Sequence, residues 1–133
     1  MSCFDTVVVP QQDGSQQQVQ VVLPKTFLLI VIMSSPSDSD IRDTIRNTWL
    51  KLSAKGPSHF RWIFPIGISK LDETTMSGLR MEQTQFEDLA FLPNVTESYD
   101  NLARKTAQAI YYSTQNYDFQ FLLKVDSDSF VRV

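Results

Sequence analysis

Cysteine is nearly missing from this 133-residue chain: Cys3 stands alone, so no disulfide can close within it. A single cysteine fits a reducing compartment or a secretory domain built without bridges, and does not choose between them. Histidine is as scarce. His59 has no second metal-ligating residue at motif spacing, which makes it a surface loop residue. Long apolar runs are lacking too. The longest, Phe27 to Met33, has seven residues, against the roughly 20 that cross a bilayer as a helix. No basic-then-apolar leader opens the chain, so it is expected to be soluble. Nor does one charge dominate, with 12 basic residues against 15 acidic ones. That balance lacks the basic footprint a phosphate backbone requires, so nucleic acid is not an expected partner.

What is present is enough for one core: 42% of the residues are apolar. Residues 1–25 stay outside it. The stretch "QQDGSQQQVQ" is polar and aperiodic and reads as a linker, while "VVVP" and "VQVVLP" suggest short edge strands, each ended by proline. From residue 26 a rhythm begins. "TFLLIVIM" (26–33) is a strand buried on both faces. Ile41, Ile45, Trp49 and Leu52 then recur at helical spacing, with Trp49 assigned to the core. "FRWIFPIG" (60–67) is a second strand, with Pro65 suggesting an irregular end or an edge. Residues 70–87 carry a thin stripe of Met76, Leu79 and Phe86; "DLAFLP" (88–93) is a third strand. A helix over 97–115 follows, with Tyr99 and Leu102 expected to pack, then a fourth strand over 117–126. Strands alternating with helices predict an α/β fold with a mainly parallel sheet. Ligands of such sheets gather beyond the carboxyl ends of the strands.

Both copies of Asp-Ser-Asp fall at those ends. The first, Asp38 to Asp40, precedes a helix, and Ser37 with Asp40 has the spacing of a capping pair. The second, Asp126 to Asp128, ends a strand. Residues two apart in extended backbone project to one side, about 6 to 7 Å apart. Asp126 and Asp128 therefore face together and repel unless a cation lies between them or a proton is shared. A hard divalent ion with oxygen ligands, completed by a diphosphate, resolves that repulsion. A solvated turn is the plainer alternative. Lys124 alternates onto the same side, where it pairs with the aspartates or with phosphate.

"FQFLLKVDSDSF" resembles the aspartate-rich segment of the β-1,3-galactosyltransferase family (glycosyltransferase family 31), Lys-x-Asp-Asp-Asp followed by a small or β-branched residue and Phe. "IRDTIRNTWL" is similar to the family's Arg-x-x-Ile-Arg-x-Thr-Trp helix and "FPIG" to its Phe-x-x-Gly strand end. "EQTQFEDL" resembles its Glu-x-x-x-Tyr-Gly-Asp-Ile stretch, with Phe86 and Glu87 in place of Tyr and Gly. "ESYDNLARKT" is similar to its Asp-Ser-Tyr-x-Asn-Leu-Thr-x-Lys-Thr signature. The likeness runs from about residue 27 to the C-terminus, and "LPNVTESYDNLARK" is most similar to the branch that builds the glycosaminoglycan–protein linker. Ser127 replaces the middle aspartate of the triplet.

The resemblance implies a partial GT-A, Rossmann-like nucleotide-sugar fold over residues 26–133. It implies Mn2+ and inverting transfer of galactose from UDP-galactose to a glycan acceptor in β-1,3 linkage. By the same resemblance Asp128 is the direct metal ligand, and Asp126 touches the ribose or reaches the ion through water. Arg42 and Arg46, four apart on one helix face, either hold diphosphate or uracil, or Arg46 pairs with Asp43 on a wet surface. Asn101 and Lys105 either point towards the nucleotide or lie on a solvated helix face. The general base is expected downstream of Val133, so the chain alone is expected to be inactive. The family's Golgi-lumenal, type II topology would arise from an N-terminal anchor not visible here, and Asn94 of "NVT" is a glycosylation acceptor. N-acetylhexosamine transfer, or a non-catalytic α/β module that binds a nucleotide or a protein, are the alternatives.

Overall fold

The computed structural model describes residues 7–10, 16–19, 22–53 and 60–128; Cys3 and His59 lie outside them. Two short strands, β1 (Val7–Pro10) and β2 (Gln16–Val19), pair antiparallel. The second falls on the glutamine-rich stretch, whereas a strand had been expected to begin at Val19.

The main sheet has four strands: β3 (Lys25–Met33), β4 (Phe60–Gly67), β5 (Leu89–Leu92) and β6 (Asp118–Asp126). Their order is β5-β4-β3-β6, and every neighbouring pair is parallel. The chain steps outward from β3 through β4 to β5 and then returns to the far side of β3. This is a doubly wound α/β fold, consistent with part of a GT-A domain.

Crossover segments cover both faces. Helices α1 (Ser39–Asn47), α2 (Trp49–Ser53) and α3 (Glu73–Phe86) are on one side, where Ile45, Trp49, Leu50 and Leu79 pack with Ile30 and Ile32. On the other, α4 (Leu102–Asn116) presses Ala109 and Tyr112 towards Leu29 and Val31. Alternate residues of β3 thus feed opposite layers, which explains its unbroken apolar run.

Local departures from the expectations have local causes. Helix α1 begins at Ser39 with Asp38 as its cap residue and no side-chain cap, because the Asp38 carboxylate accepts the Ser35 hydroxyl at 2.8 Å. The Ser37–Asp40 pair therefore does not cap it. Pro65 sits inside the sheet and is fully buried. Its neighbour Phe64 donates towards β5, so alternation turns the Pro65 nitrogen towards β3, past the last β3–β4 pair at Val31 and Ile63. No ladder donor is needed there. A 3-10 turn (Tyr99–Asn101) precedes α4 and leaves Tyr99 91% exposed, with Leu102 also exposed; neither packs as expected. Glu87 ends α3 with φ 55°, a left-handed position suited to glycine. That is the position where the family pattern has glycine.

Strand β6 is an edge. Phe121 and Leu123 are exposed, and Phe121 meets the exposed Phe27 edge to face at 5.2 Å.

Candidate donor site at the carboxyl end of the sheet

The strand order reverses between β3 and β6, and in doubly wound sheets the ligand crevice opens at that point. Asp126, the last residue of β6, pairs in register with Met33, the last of β3. Ser34 and Ser35 continue from β3, and Asp128 lies in the turn after β6. The second Asp-Ser-Asp therefore borders the reversal from one side and the β3–α1 loop borders it from the other.

Two buried cations hold that loop from opposite faces of the sheet. Arg42 of α1 is 1% exposed; its Nη1 donates to Ser34 Oγ at 2.8 Å and to the Ser35 carbonyl at 2.6 Å. Its Nε and Nη2 form a two-pronged pair with Glu82 of α3, both at 2.7 Å. From the other layer, Lys105 of α4 is 6% exposed and donates to the Ser34 carbonyl. Its ammonium also pairs with Glu97 at 2.7 Å. Glu97 in turn accepts the Gly67 amide at 2.7 Å, which ties in the end of β4. Gly67 has to be glycine here, since a Cβ would lie 2.7 Å from the Val95 carbonyl oxygen. The solvated-face alternative for Lys105 is thus not what the fold adopts. Asn101 donates to the Thr96 carbonyl at 3.1 Å, fixing the chain just before Glu97.

Arg46, one turn below Arg42, is also enclosed. It donates to Asp88 at 2.7 and 2.8 Å, to Glu82 at 2.7 Å and to Asp43 at 2.8 Å. Its guanidinium stands 3.9 Å from the centre of the Phe86 ring, a cation–π contact. The Asp43 pair exists at the network's exposed margin, where the Asp43 side chain meets solvent, while Arg46 itself is enclosed. Burial by itself would lower the Arg46 pKa; hydrogen bonds to Asp88 and Glu82 outweigh it and raise it. Burial likewise pushes Glu82 up, and the two arginines more than reverse this, holding it below its ordinary 4.5.

Beside this network is a cavity of about 590 Å³ between the start of α1 and α3, lined by Ser35, Ser37, Arg42, Thr75, Glu82 and Glu97 among others. Its size falls within the roughly 300–1,000 Å³ of small-molecule pockets. The two aspartates differ from everything above. Asp126 and Asp128 are exposed, and among the described residues the Asp126 carboxylate pairs loosely with Lys124, at 3.7 Å. Among the described residues no three acidic, histidine or cysteine side chains cluster as a ready-made metal cage. The roles of Glu82, Asp88 and Glu97 had not been assigned from sequence, although each falls within one of the similar motifs, "EQTQFEDL" or "ESYDNLARKT".

A parallel four-stranded sheet with helices on both faces places the chain among the doubly wound α/β folds. A family model described as Galactosyltransferase matches residues 40–133, and the chain belongs to that family. It is 34% identical over 110 residues to beta-1,3-galactosyltransferase 6 of Mus musculus, covering 82% of this chain and 34% of that protein. It is 29% identical over 107 residues to beta-1,3-galactosyltransferase 2 of Homo sapiens, covering 79% of this chain and 25% of the relative. The chain thus spans a quarter to a third of the length of these relatives.

Proposed function

We propose that these residues form the donor-binding half of a hexosyltransferase, which moves galactose from UDP-galactose to an acceptor sugar hydroxyl in β-1,3 linkage. One observation carries this: in a chain of the galactosyltransferase family, an exposed Asp126 stands in register with Met33 at the strand reversal, with an exposed Asp128 two residues on. Two exposed carboxylates, with no cluster of three metal-ligating side chains among the described residues, suit a hard divalent ion that takes its other oxygens from water and phosphate. On this reading Asp128 holds Mn2+ directly, and Asp126 reaches it through water or meets the ribose. When bound, the ion supplies a Lewis acid that neutralises charge gathering on the departing UDP.

The rest falls to the chain's own groups. The cavity beside Ser35 and Arg42 receives the nucleoside. Arg42 and Lys105 keep the β3–α1 loop in place for it, and Arg46 keeps α1 fixed to α3. Asn101 fixes the approach to Glu97. The secretory route, with the catalytic domain in the Golgi lumen, and the glycosaminoglycan-linker acceptor are parts of the same proposal, resting on the resemblance of "LPNVTESYDNLARK" to the linker branch of the family.

Calorimetric titration of UDP with and without Mn2+ tests it. Metal-dependent binding that vanishes in Asp128→Ala is the expected outcome. Indifference to both metal and substitution would instead indicate a non-catalytic module that does not bind the donor through these aspartates.

A further inference from the structure

The edge of the sheet opposite β6 carries a feature that donor binding does not use. Strand β5 ends in a β-turn in which the Val95 amide donates to the Leu92 carbonyl at 3.3 Å, with Pro93 and Asn94 at the corners. Proline presets the first corner and asparagine suits the second. Val95 is fully buried and its carbonyl accepts the Ser69 amide at 3.0 Å, so Asn94 is displayed in solvent on an anchored turn. Thr96 completes the acceptor pattern.

Asn94 also forms part of the wall of a cavity of about 200 Å³, with Phe91, Gln108, Tyr111, Tyr112 and Gln115. That is smaller than the roughly 300–1,000 Å³ of an ordinary ligand pocket, and suits a single sugar ring. Tyr111 is 62% exposed and presents an aromatic surface, while the two glutamines offer amides to hydroxyl and N-acetyl groups.

We infer that Asn94 carries an N-linked glycan whose first N-acetylglucosamine seats against Tyr111 and Tyr112, fastening the end of β5 to α4. The inference rests on the secretory route proposed above, but not on donor binding. In the modification the Asn94 amide nitrogen bonds to C1 of the sugar as the bond from C1 to a lipid-linked pyrophosphate breaks. The electron pair leaves with the pyrophosphate, and the amide proton passes to a base of the cell's oligosaccharide transferase. Seated there, the sugar also screens the end of an edge strand, where unpaired backbone invites association with other chains.

The test is to pass the full chain through the secretory route of a eukaryotic cell behind a cleavable leader. A glycan mass is expected, absent from Asn94→Gln and Thr96→Ala. Trimming to one N-acetylglucosamine should leave the melting temperature unchanged, about 4 °C above that of Asn94→Asp, the equivalent of complete enzymatic removal. Tyr111→Ala should abolish that gap. An unmodified chain overturns the site. A trimmed form melting with Asn94→Asp, or a gap that survives Tyr111→Ala, overturns the seat. A failure of UDP binding leaves both results standing, and loss of the glycan leaves UDP binding unaffected.

Discussion

The charged side chains at the carboxyl end of the sheet divide into two groups. Arg42, Arg46 and Glu82 are enclosed and matched to one another, as are Lys105 and Glu97. Asp126 and Asp128 lie in the open, and among the described residues the first is paired with a loosely placed Lys124. A buried charge that loses its partner is costly, whereas an exposed one contributes little to folding and is available to a ligand. Residue type alone does not separate a brace from a binding group. Whether the protein has already partnered the charge does.

The largest expected effect is in the enclosed group. Glu82→Ala leaves Arg42 and Arg46 short of their shared acceptor, and a loss of about 3–5 kcal/mol is expected from urea denaturation. Lys105→Met should follow at about 2–3 kcal/mol, since it removes charged hydrogen bonds to Glu97 and Ser34. If its effect proves no larger than that of an exposed lysine such as Lys124, the division fails.

Acid should reveal the same group. The Glu82 pKa is lowered in the folded state relative to its ordinary 4.5. Its contribution is therefore complete above about 4.5 and is lost as pH falls through the depressed folded value. Thermal melts from pH 7 to pH 2 should show a decline below 4.5 that Glu82→Gln makes shallower.

Much of this was legible in the chain. The four core strands, the intervening helices and the parallel arrangement followed from β3's continuous apolar run and the spacing of Ile41, Ile45 and Trp49. The expected irregularity at Pro65 proved instead to be an interior position, because a proline needs only a missing ladder partner on one side. Lys105 and the arginines were harder. Arg42 meets Glu82 across 40 residues of sequence, and Lys105 meets Ser34 across 71. Spacing along one helix shows which residues share a face, but not which distant carboxylate that face will meet. Tyr99 departs from the helical stripe for a related reason: the 3-10 turn that holds it projects its side chain outward.

Smaller effects sharpen the comparison. Glu87→Gly, which relieves a left-handed residue at the end of α3, should raise stability by about 1 kcal/mol in the same denaturation assay. Asp128→Asn should move stability by no more than about 0.5 kcal/mol, as an exposed side chain would.

The account turns on the second Asp-Ser-Asp, and manganese paramagnetic resonance tests it most directly. Titrating the chain into Mn2+ and UDP should quench the six-line signal of the free ion, and Asp128→Asn, though folded, should leave that signal intact. Equal quenching by the native chain and by Asp128→Asn would contradict it.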